Sequence, residues 1–397
     1  MLKNTKQIIS GRNGLNNARG IVIIGGQRVQ YLDFTVEQNG FSAADSFELN
    51  LPFFVRDNIN GDKVLANGPG FQSILFTQDA VPIQIYAGFP RNISNYGISD
   101  LTKIMDGSLD TVKAFFKNAA DLGETIAING RNVVGQMIDY KITEKYPNLT
   151  ASNIAEKFSA QFGLTPIITP TTTFSGVYYN NNSTTLGRET NVWDLLLYLA
   201  KMENFIVRVK NGQLLFGPYA TVTGYVNQVP INYTWGYDIE EAELERSPHA
   251  ARDIVVKVIS YNRNTKGRIV ETAKSTTLIG TKVKGQTGQR QSYIETYIIP
   301  GLTRDQAQRK AEWILAELSR TELIGTMKCA GNVDLDIDRQ IALNGLGDQL
   351  SQNYYLNKVT HSLNLSEGFR SEVSFSNQFM ANGEPEQQYS LSDSDTV

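Results

Sequence analysis

The chain has one cysteine, Cys329, two histidines, His249 and His361, and no long hydrophobic run. A single thiol makes no intramolecular disulfide and cannot supply a C-x-x-C zinc site. That usage fits a reducing cytosol or a particle assembled in one. The opening MLKNTKQIISGRNGLNN has no apolar core of signal-peptide length. Purely apolar stretches extend over only a few residues, so no helical membrane anchor is expected. Without a signal peptide, Asn-x-Ser/Thr triplets such as Asn148-Leu149-Thr150 are chance matches. A net charge of −3 over 397 residues leaves no basic excess of the kind that marks a nucleic-acid binder.

The length implies about two to three domains, and a hydrophobic fraction of 41% is enough for ordinary cores. Abundant Tyr and Phe, with Asn, Thr, Gly and Gln in the turns, give a β-rich signature. In residues 19–131, Ile21 to Ile24 precede the turn Gly25-Gly26 and a strand from Arg28 to Thr35. Phe47, Leu49 and Leu51 alternate in a half-buried strand stopped by Pro52, and Val81 to Ala87 continue the pattern. Leu109 to Phe116 suits a strand pairing with Thr125 to Asn129 across Ala120–Gly123, or a short helix; the strand is preferred.

Residues 132–230 have a mixed α/β pattern. Ile154, Ala155, Phe158 and Phe162 follow helical spacing, with Gly163 placed as the residue after the cap. Val192, Leu195, Leu196 and Leu199 predict a second amphipathic helix, capped by Asn191 or Thr190. A hairpin turning at Asn211-Gly212 joins Phe205–Val209 to Leu214–Phe216, and the Thr/Asn-rich residues 169–187 read as a loop. Residues 231–380 return to strands. These include a hairpin from Ile254–Asn262 to Gly267–Glu271 and strands at 322–329, 337–343, 354–361 and 370–377. One helix interrupts them, opened by a capping box at Thr303 and Gln306, with Ala307, Ala311, Ile314, Leu315 and Leu318 on one side. Residues 1–18 read as an N-terminal arm and the acidic, polar residues 381–397 as a mobile tail. No repeat relates the two β-rich parts, so a duplication is not read from the sequence alone.

Candidate chemistry is sparse. Asp334, Asp336 and Asp338 would share one face of a strand and suggest a divalent cation. The EF-hand glycine and glutamate are missing, which favours a solvated face or a turn. His249 follows Ser247-Pro248 in a loop. His361 shares a predicted strand face with Tyr355, Asn357 and Val359, which favours packing over a triad. Glu240, Glu241, Glu243 and Glu245 beside Arg246 read as a solvated charged strand, not the paired carboxylates of a glycosidase. Gly11-Arg12-Asn13-Gly14 and Gly25-Gly26 form no phosphate loop, and Trp193, Trp235 and Trp313 are too far apart in sequence to suggest a stacking platform. No catalytic residue, cofactor or metal site is expected.

In order through the chain, FSAADSFELNLP, INGRNVVGQMID, ETNVWDLLLYLAKMENF and YYLNKVTHSLNLSEGFRSEVSF resemble segments of the baseplate hub proteins of contractile phage tails, of the late-control D type, a family related to the base of type VI secretion spikes. In FSAADSFELNLP, Ala44, Asp45 and Phe47 match the family's strand entry. IYAGFPRNI, MDGSLDTV and INGRNVVGQMID follow, with Gly130 and Arg131 closing the first barrel and Asn132 where many relatives have Asp. TASNIAEKFSAQFGL and ETNVWDLLLYLAKMENF resemble the family's two helices. IPGLTRDQAQRKAEWILAEL and YYLNKVTHSLNLSEGFRSEVSF resemble its late helix and closing strands. The resemblance implies a mainly β fold with an α+β insert: two tail-tube-like β-barrel domains flanking the small α/β domain, assembled as a trimeric ring. Such a homotrimer adapts the sixfold tail tube, or its initiator proteins, above to the threefold central spike below. Wedge or tail-terminal baseplate proteins surround it, and DNA or the tape-measure protein passes through its lumen without specific binding. A virion location after assembly in the host cytoplasm follows. The chain ends about where the hub fold should end, leaving no room for a fused hydrolase or a β-helical spike. The alternative is a tail-tip cell-wall-degrading or glycan-binding protein.

Overall fold

A computed structural model describes residues 18–40, 43–56, 63–68, 70–116, 124–142, 146, 149–172, 190–224, 228–246, 254–262, 267–274, 293–319 and 323–377. The expected loop over 169–187, most of the N-terminal arm, the acidic tail and the hairpin turns at Ala120–Gly123 and Asn264–Gly267 fall wholly or mainly outside these residues.

The first strands are β1 (Arg19–Ile24), β2 (Gln27–Val29), β3 (Asp33–Asn39), β4 (Ser46–Pro52), β5 (Phe54–Arg56) and β6 (Lys63–Leu65). Helix α1 (Phe71–Thr77), β7 (Pro82–Gly88), β8 (Thr102–Phe115), β9 (Thr125–Arg131) and α2 (Val133–Asp139) follow. Next come β10 (Lys141–Ile142), α3 (Ala151–Gln161), β11 (Thr165–Ile168), β12 (Thr190–Asn191), α4 (Val192–Glu203), β13 (Ile206–Lys210), β14 (Gln213–Gly217) and α5 (Tyr219–Thr223). Then β15 (Ile231–Thr234), β16 (Ile239–Arg246), β17 (Ile254–Asn262), β18 (Gly267–Lys274) and β19 (Tyr293–Ile298) lead to α6 (Arg304–Ser319). The last strands are β20 (Leu323–Ala330), β21 (Gln340–Asn344), β22 (Asn353–Asn364) and β23 (Gly368–Ser376).

The chain divides into two compact units. One comprises Met1–Tyr140, Gln228–Leu244 and Gly325–Phe375; the other comprises Lys141–Asn227, Glu245–Ile324 and Ser376–Val397. The first unit is organised by a 13-stranded sheet whose main path runs β16-β20-β23-β22-β3-β4-β9-β8-β7-β1-β2, with β21 on β22 and β15 parallel to β21. Most of the strands expected to form two barrels therefore share one ladder, while β17, β18 and β19 form a sheet of their own. Among the described residues that ladder runs open from β16 to β2. The physical reason is the second edge of β3: it pairs with β4 on one side and with the late strand β22 on the other.

Alternation decides which side chains fill this unit. In β4, Phe47, Leu49 and Leu51 point inward and are buried, while Glu48 is exposed. They pack with Phe34, Val36, Ile83, Ile85, Ile126 and Ile128 in one core. Leu109 to Phe115 belong to β8 and pair with β9, so the strand reading holds over the helix. In β22 the phase of burial slips at Asn357–Lys358. Tyr354 and Leu356 are buried before the slip, and Val359, His361 and Leu363 after it. Tyr355 and Asn357, expected on one face with Val359 and His361, are only half-buried, so the buried side of the strand changes at this point.

In the second unit, α3 starts at Thr150, whose hydroxyl accepts from the Asn153 N–H at 3.3 Å, and ends before left-handed Gly163 (φ 66°). Helix α4 starts at Asn191, whose side chain accepts from the Asp194 N–H at 2.7 Å. β13 and β14 turn at Asn211 (φ 50°) and Gly212 (φ 74°), the backbone a tight hairpin requires, and β11 runs parallel to β14. A second sheet, β18-β17-β19, is covered on one face by α6. Val256, Val258, Ala273, Ala307, Ala311 and Ile314 form its core with Met202 of α4. The capping box of α6 is in place: the Thr303 N–H donates to Gln306 Oε1 at 2.9 Å, and the Gln306 N–H donates to Thr303 Oγ1 at 3.4 Å.

Because Phe34 is 1% exposed on the strand that joins the early and late halves of the sheet, Phe34→Ala is expected to destabilise the first unit by about 3–5 kcal/mol. Chemical denaturation of the two proteins measures the difference.

Candidate functional site

Two of the early segments that carry the family resemblance, FSAADSFELNLP and INGRNVVGQMID, meet in space. β4 and β9 pair with Phe47 opposite Gly130 and Ser46 opposite Arg131. Asp45, just before β4, binds the residue at which β9 gives way to α2. Its carbonyl accepts from the Asn132 N–H at 3.0 Å, and its carboxylate accepts from Asn132 Nδ2 at 3.0 Å and from the Asn39 N–H at 2.9 Å. Asn132 also caps α2, its Oδ1 accepting from the Val134 N–H at 3.1 Å. One Asp–Asn pair thus fixes the ends of β3 and β4 and the start of α2.

Arg131 completes the corner. Its guanidinium donates to Asp110 from Nε at 2.5 Å and from Nη2 at 3.2 Å, and Nη2 also reaches Asp139 at 2.8 Å. The forked contact ties β8 to the end of α2. Gly130 allows the close approach: a Cβ there would lie 2.1 Å from the Ser108 carbonyl oxygen and 2.4 Å from the Phe47 ring. Asn132 caps as well as an Asp would, since the two serve equally there. It also adds the Nδ2 donor that Asp45 accepts, whereas a second carboxylate would repel it.

The other candidates do not converge. Asp334, Asp336 and Asp338 lie in turns before β21, not on a strand face, with Leu335 and Ile337 buried between them. Asp334 is exposed and Asp338 is buried. The Asp334 and Asp338 N–H groups donate to Asn332 Oδ1 at 3.0 Å and Asp336 Oδ1 at 3.3 Å, so of the three aspartates only the Asp336 side chain is seen shaping the turn, beside Asn332. No group of three or more His, Cys, Asp and Glu side chains among the described residues is arranged to hold a metal ion. His249 lies outside the described residues. Glu241, Glu243 and Glu245 project from one side of β16 and are exposed, while Glu240 pairs with Arg370 at 3.2 Å. Trp193 is core and Trp235 is exposed.

His361 is fully buried, its Nδ1 2.9 Å from Ser371 Oγ and its ring stacked on Phe369. The Ser371 hydroxyl also accepts from the Asn332 N–H at 3.0 Å, and Asn332 Nδ2 donates to the Tyr233 hydroxyl at 3.0 Å. Burial lowers the His361 pKa to about 4, against smaller opposing effects from the Leu335 backbone and Asp336. Burial also pushes the Cys329 thiol up to about 12, which removes the thiolate that nucleophilic or metal chemistry needs. This network is neutral, sealed and structural in character. Sequence reasoning missed the Ser371 and Tyr233 contacts, which depend on strand pairing.

It also missed an aromatic–cation cluster in the second unit. Lys310 Nζ lies 4.4 Å and Lys201 Nζ 5.2 Å from the Trp313 ring centroid. Burial first, and then Lys201, lowers the Lys310 pKa to about 8. Beside them Arg309 pairs with buried Glu203 at 3.4 Å. Burial raises the Glu203 carboxyl and Arg309 opposes the rise. The helical spacing of Arg309, Lys310 and Trp313 was visible; the docking of α4 that brings Lys201 and Glu203 was not.

The profile of the Alg8 N-terminal domain family matches residues 99–365. No curated protein sequence matches the chain significantly. Among solved structures, the tail protein from Neisseria meningitidis MC58 superposes with a TM-score of 0.65 at 12% identity, covering 92% of this chain and 98% of that one. The 43 kDa tail protein of prophage MuSo2 from Shewanella oneidensis gives 0.62 at 12% identity, covering 90% and 98%. The Escherichia coli c3393 protein, a type VI secretion component described as similar to T4 bacteriophage tail proteins gp27 and gp5, gives 0.50 at 11% identity, covering 89% and 76%. At this identity the likeness is one of fold: the chain is built as these phage tail proteins are.

Two outcomes test the site. Gly130→Ala forces a side chain into the Ser108 carbonyl and should cost about 3 kcal/mol, read as a lowered denaturation midpoint. His361 binds its proton less readily folded than unfolded, so stability should fall as pH drops from 6.5 towards about 4. The loss should total about 3 kcal/mol. His361→Gln should flatten that part of the stability–pH profile, whatever its effect at neutral pH.

Proposed function

The chain belongs to the Alg8 N-terminal domain family, and from that premise together with its fold we propose that it is the structural hub of a contractile phage-type tail. Three copies form a ring that adapts a sixfold tube to a threefold spike and surrounds the channel. The carrying observation is superposition along nearly the whole chain on tail proteins that are themselves covered almost completely. In this reading residues 19–131 and 231–380 supply two tube-like barrel halves around the 132–230 stretch, and residues 1–18 and 381–397 are terminal arms. The tube or its initiator binds above, a separate spike protein below and wedge proteins outside. DNA or a tape-measure protein passes through without specific contacts, as expected for a wall that adds little positive charge. The role is mechanical and not enzymatic, and the protein resides in the tail baseplate after assembly in the host cytoplasm.

A glycan-binding role at the tail tip is the second reading. It is favoured by Trp235 and Tyr237, 47% and 70% exposed on either side of left-handed Gly236. Aromatic rings held on a tight turn offer an apolar face to a sugar.

Light scattering over a concentration series, followed by electron imaging of the purified protein, tests the hub reading. Threefold rings with an open centre are expected, with no binding to cell-wall glycans. A compact monomer at every concentration overturns the hub. Saturable glycan binding lost in Trp235→Ala would establish the second reading.

A further inference from the structure

Sheet β18-β17-β19 has two unlike faces. The face under α6 is closed. On the other, Val270, Ile259 and Ile298 lie in one row across the three strands, since Ile259 is in register with both neighbours. This face is left in water: Ile298 is 74% exposed, Tyr261 62% and Ile294 61%. Its charged side chains are Lys257, Arg268 and Lys274. Among the described residues no carboxylate shares it. Glu271 and Glu295 alternate to the other side, where Glu271 accepts from Arg304 at 2.7 Å and Glu295 from the Tyr297 hydroxyl at 2.5 Å.

Elsewhere on the same chain is a surface of opposite sign. β16 ends the ladder of the large sheet, and Glu241, Glu243 and Glu245 stand exposed along one side of it. Their row extends about 13 Å, and Arg268 to Lys274 extends about 20 Å along β18, at roughly 3.3 Å per residue. Lys257 sits opposite Thr272, between those two cations. The acidic row therefore fits within the basic frame.

We propose that the open face of β18-β17-β19 docks on the acidic edge strand β16 of a second copy of this chain. The inference rests on the ring reading above and names its contact. Two different, complementary patches on one chain make a heterologous contact, the kind that closes into a ring. The apolar row provides the buried area a lone chain leaves exposed. The matched charges select this partner and fix its register.

The test uses the full chain and four proteins: the wild type, E241K/E243K/E245K, K257E/R268E/K274E, and the variant carrying all six changes. Light scattering across a dilution series should show each triple reversal weakening self-association about tenfold or more, and the sixfold variant recovering it. Recovery separates a lost contact from a misfolded chain. In addition, Ile298→Cys combined with Glu243→Cys should give disulfide-linked oligomers under a copper–phenanthroline oxidant, while buried Cys329 stays inert. If the wild type forms rings but both triple variants associate as tightly as it does and no cross-link appears, something else covers this face. The contact is then wrong and the hub reading stands. Failure of the sixfold variant to recover association also overturns the contact. A wild type that stays monomeric overturns both.

Discussion

Val36 pairs with His361 and Phe34 with Leu363, so the central sheet of the first unit is complete only when strands from near both ends of the chain are brought together. Every other feature of that unit follows from this ladder. β4, β9, β8, β7 and β1 extend from one side of β3, and β22 brings β23, β20 and β16 from the other. The chain leaves the unit after Tyr140 and again after Leu244, and each excursion contributes to the second unit. Pairing across so long a separation carries a large loop-closure cost before it is rewarded. The excursions pack on each other, Met202 of α4 joining the core beneath α6, and this compacts the intervening chain.

The corner at Asp45 and Asn132 sets where the strands of that sheet end. A strand that runs on past its partner exposes unpaired backbone groups. Here β9 stops because Asn132 accepts from the Val134 N–H and turns the chain into α2. Asp45 holds the neighbouring strand ends to the same point. Arg131 then neutralises Asp110 and Asp139, two carboxylates that would otherwise repel across the corner. The resemblance-bearing residues of the early segments are thus geometric parts, which is why they are recognisable from residue type and spacing.

Local patterns were readable where local physics decides the structure. The caps at Thr150, Asn191 and Thr303, the turn at Asn211-Gly212 and the alternation of Phe47, Leu49 and Leu51 all appear as residue type and spacing predict. What escaped was decided across strands. The shared ladder needs β22 beside β3, and hydrophobic alternation alone does not choose a strand's partner. The change of buried side in β22 at Asn357 is announced by no spacing rule. Asp334, Asp336 and Asp338 alternate with apolar residues as a strand would, yet the Asx turns closed by the Asn332 and Asp336 side chains compete successfully with strand formation.

The His361 network shows how a chemically suggestive set can be purely structural. A histidine, a serine 2.9 Å away and an aspartate within electrostatic reach resemble the parts of a hydrolytic triad. A working triad needs its serine open to substrate and its histidine able to take a proton near neutral pH. Here both side chains have no exposed surface, and burial holds the imidazole neutral down to about pH 4. The same burial makes the set useful for folding. Buried polar groups cost less when partnered, so the contacts of Ser371 with His361 and Asn332, and of Asn332 with Tyr233, favour one arrangement of β22, β23 and the 331–339 turns over slipped ones. In a ladder built from distant strands, where register is the least locally specified quantity, a buried polar contact of this kind supplies the missing specification.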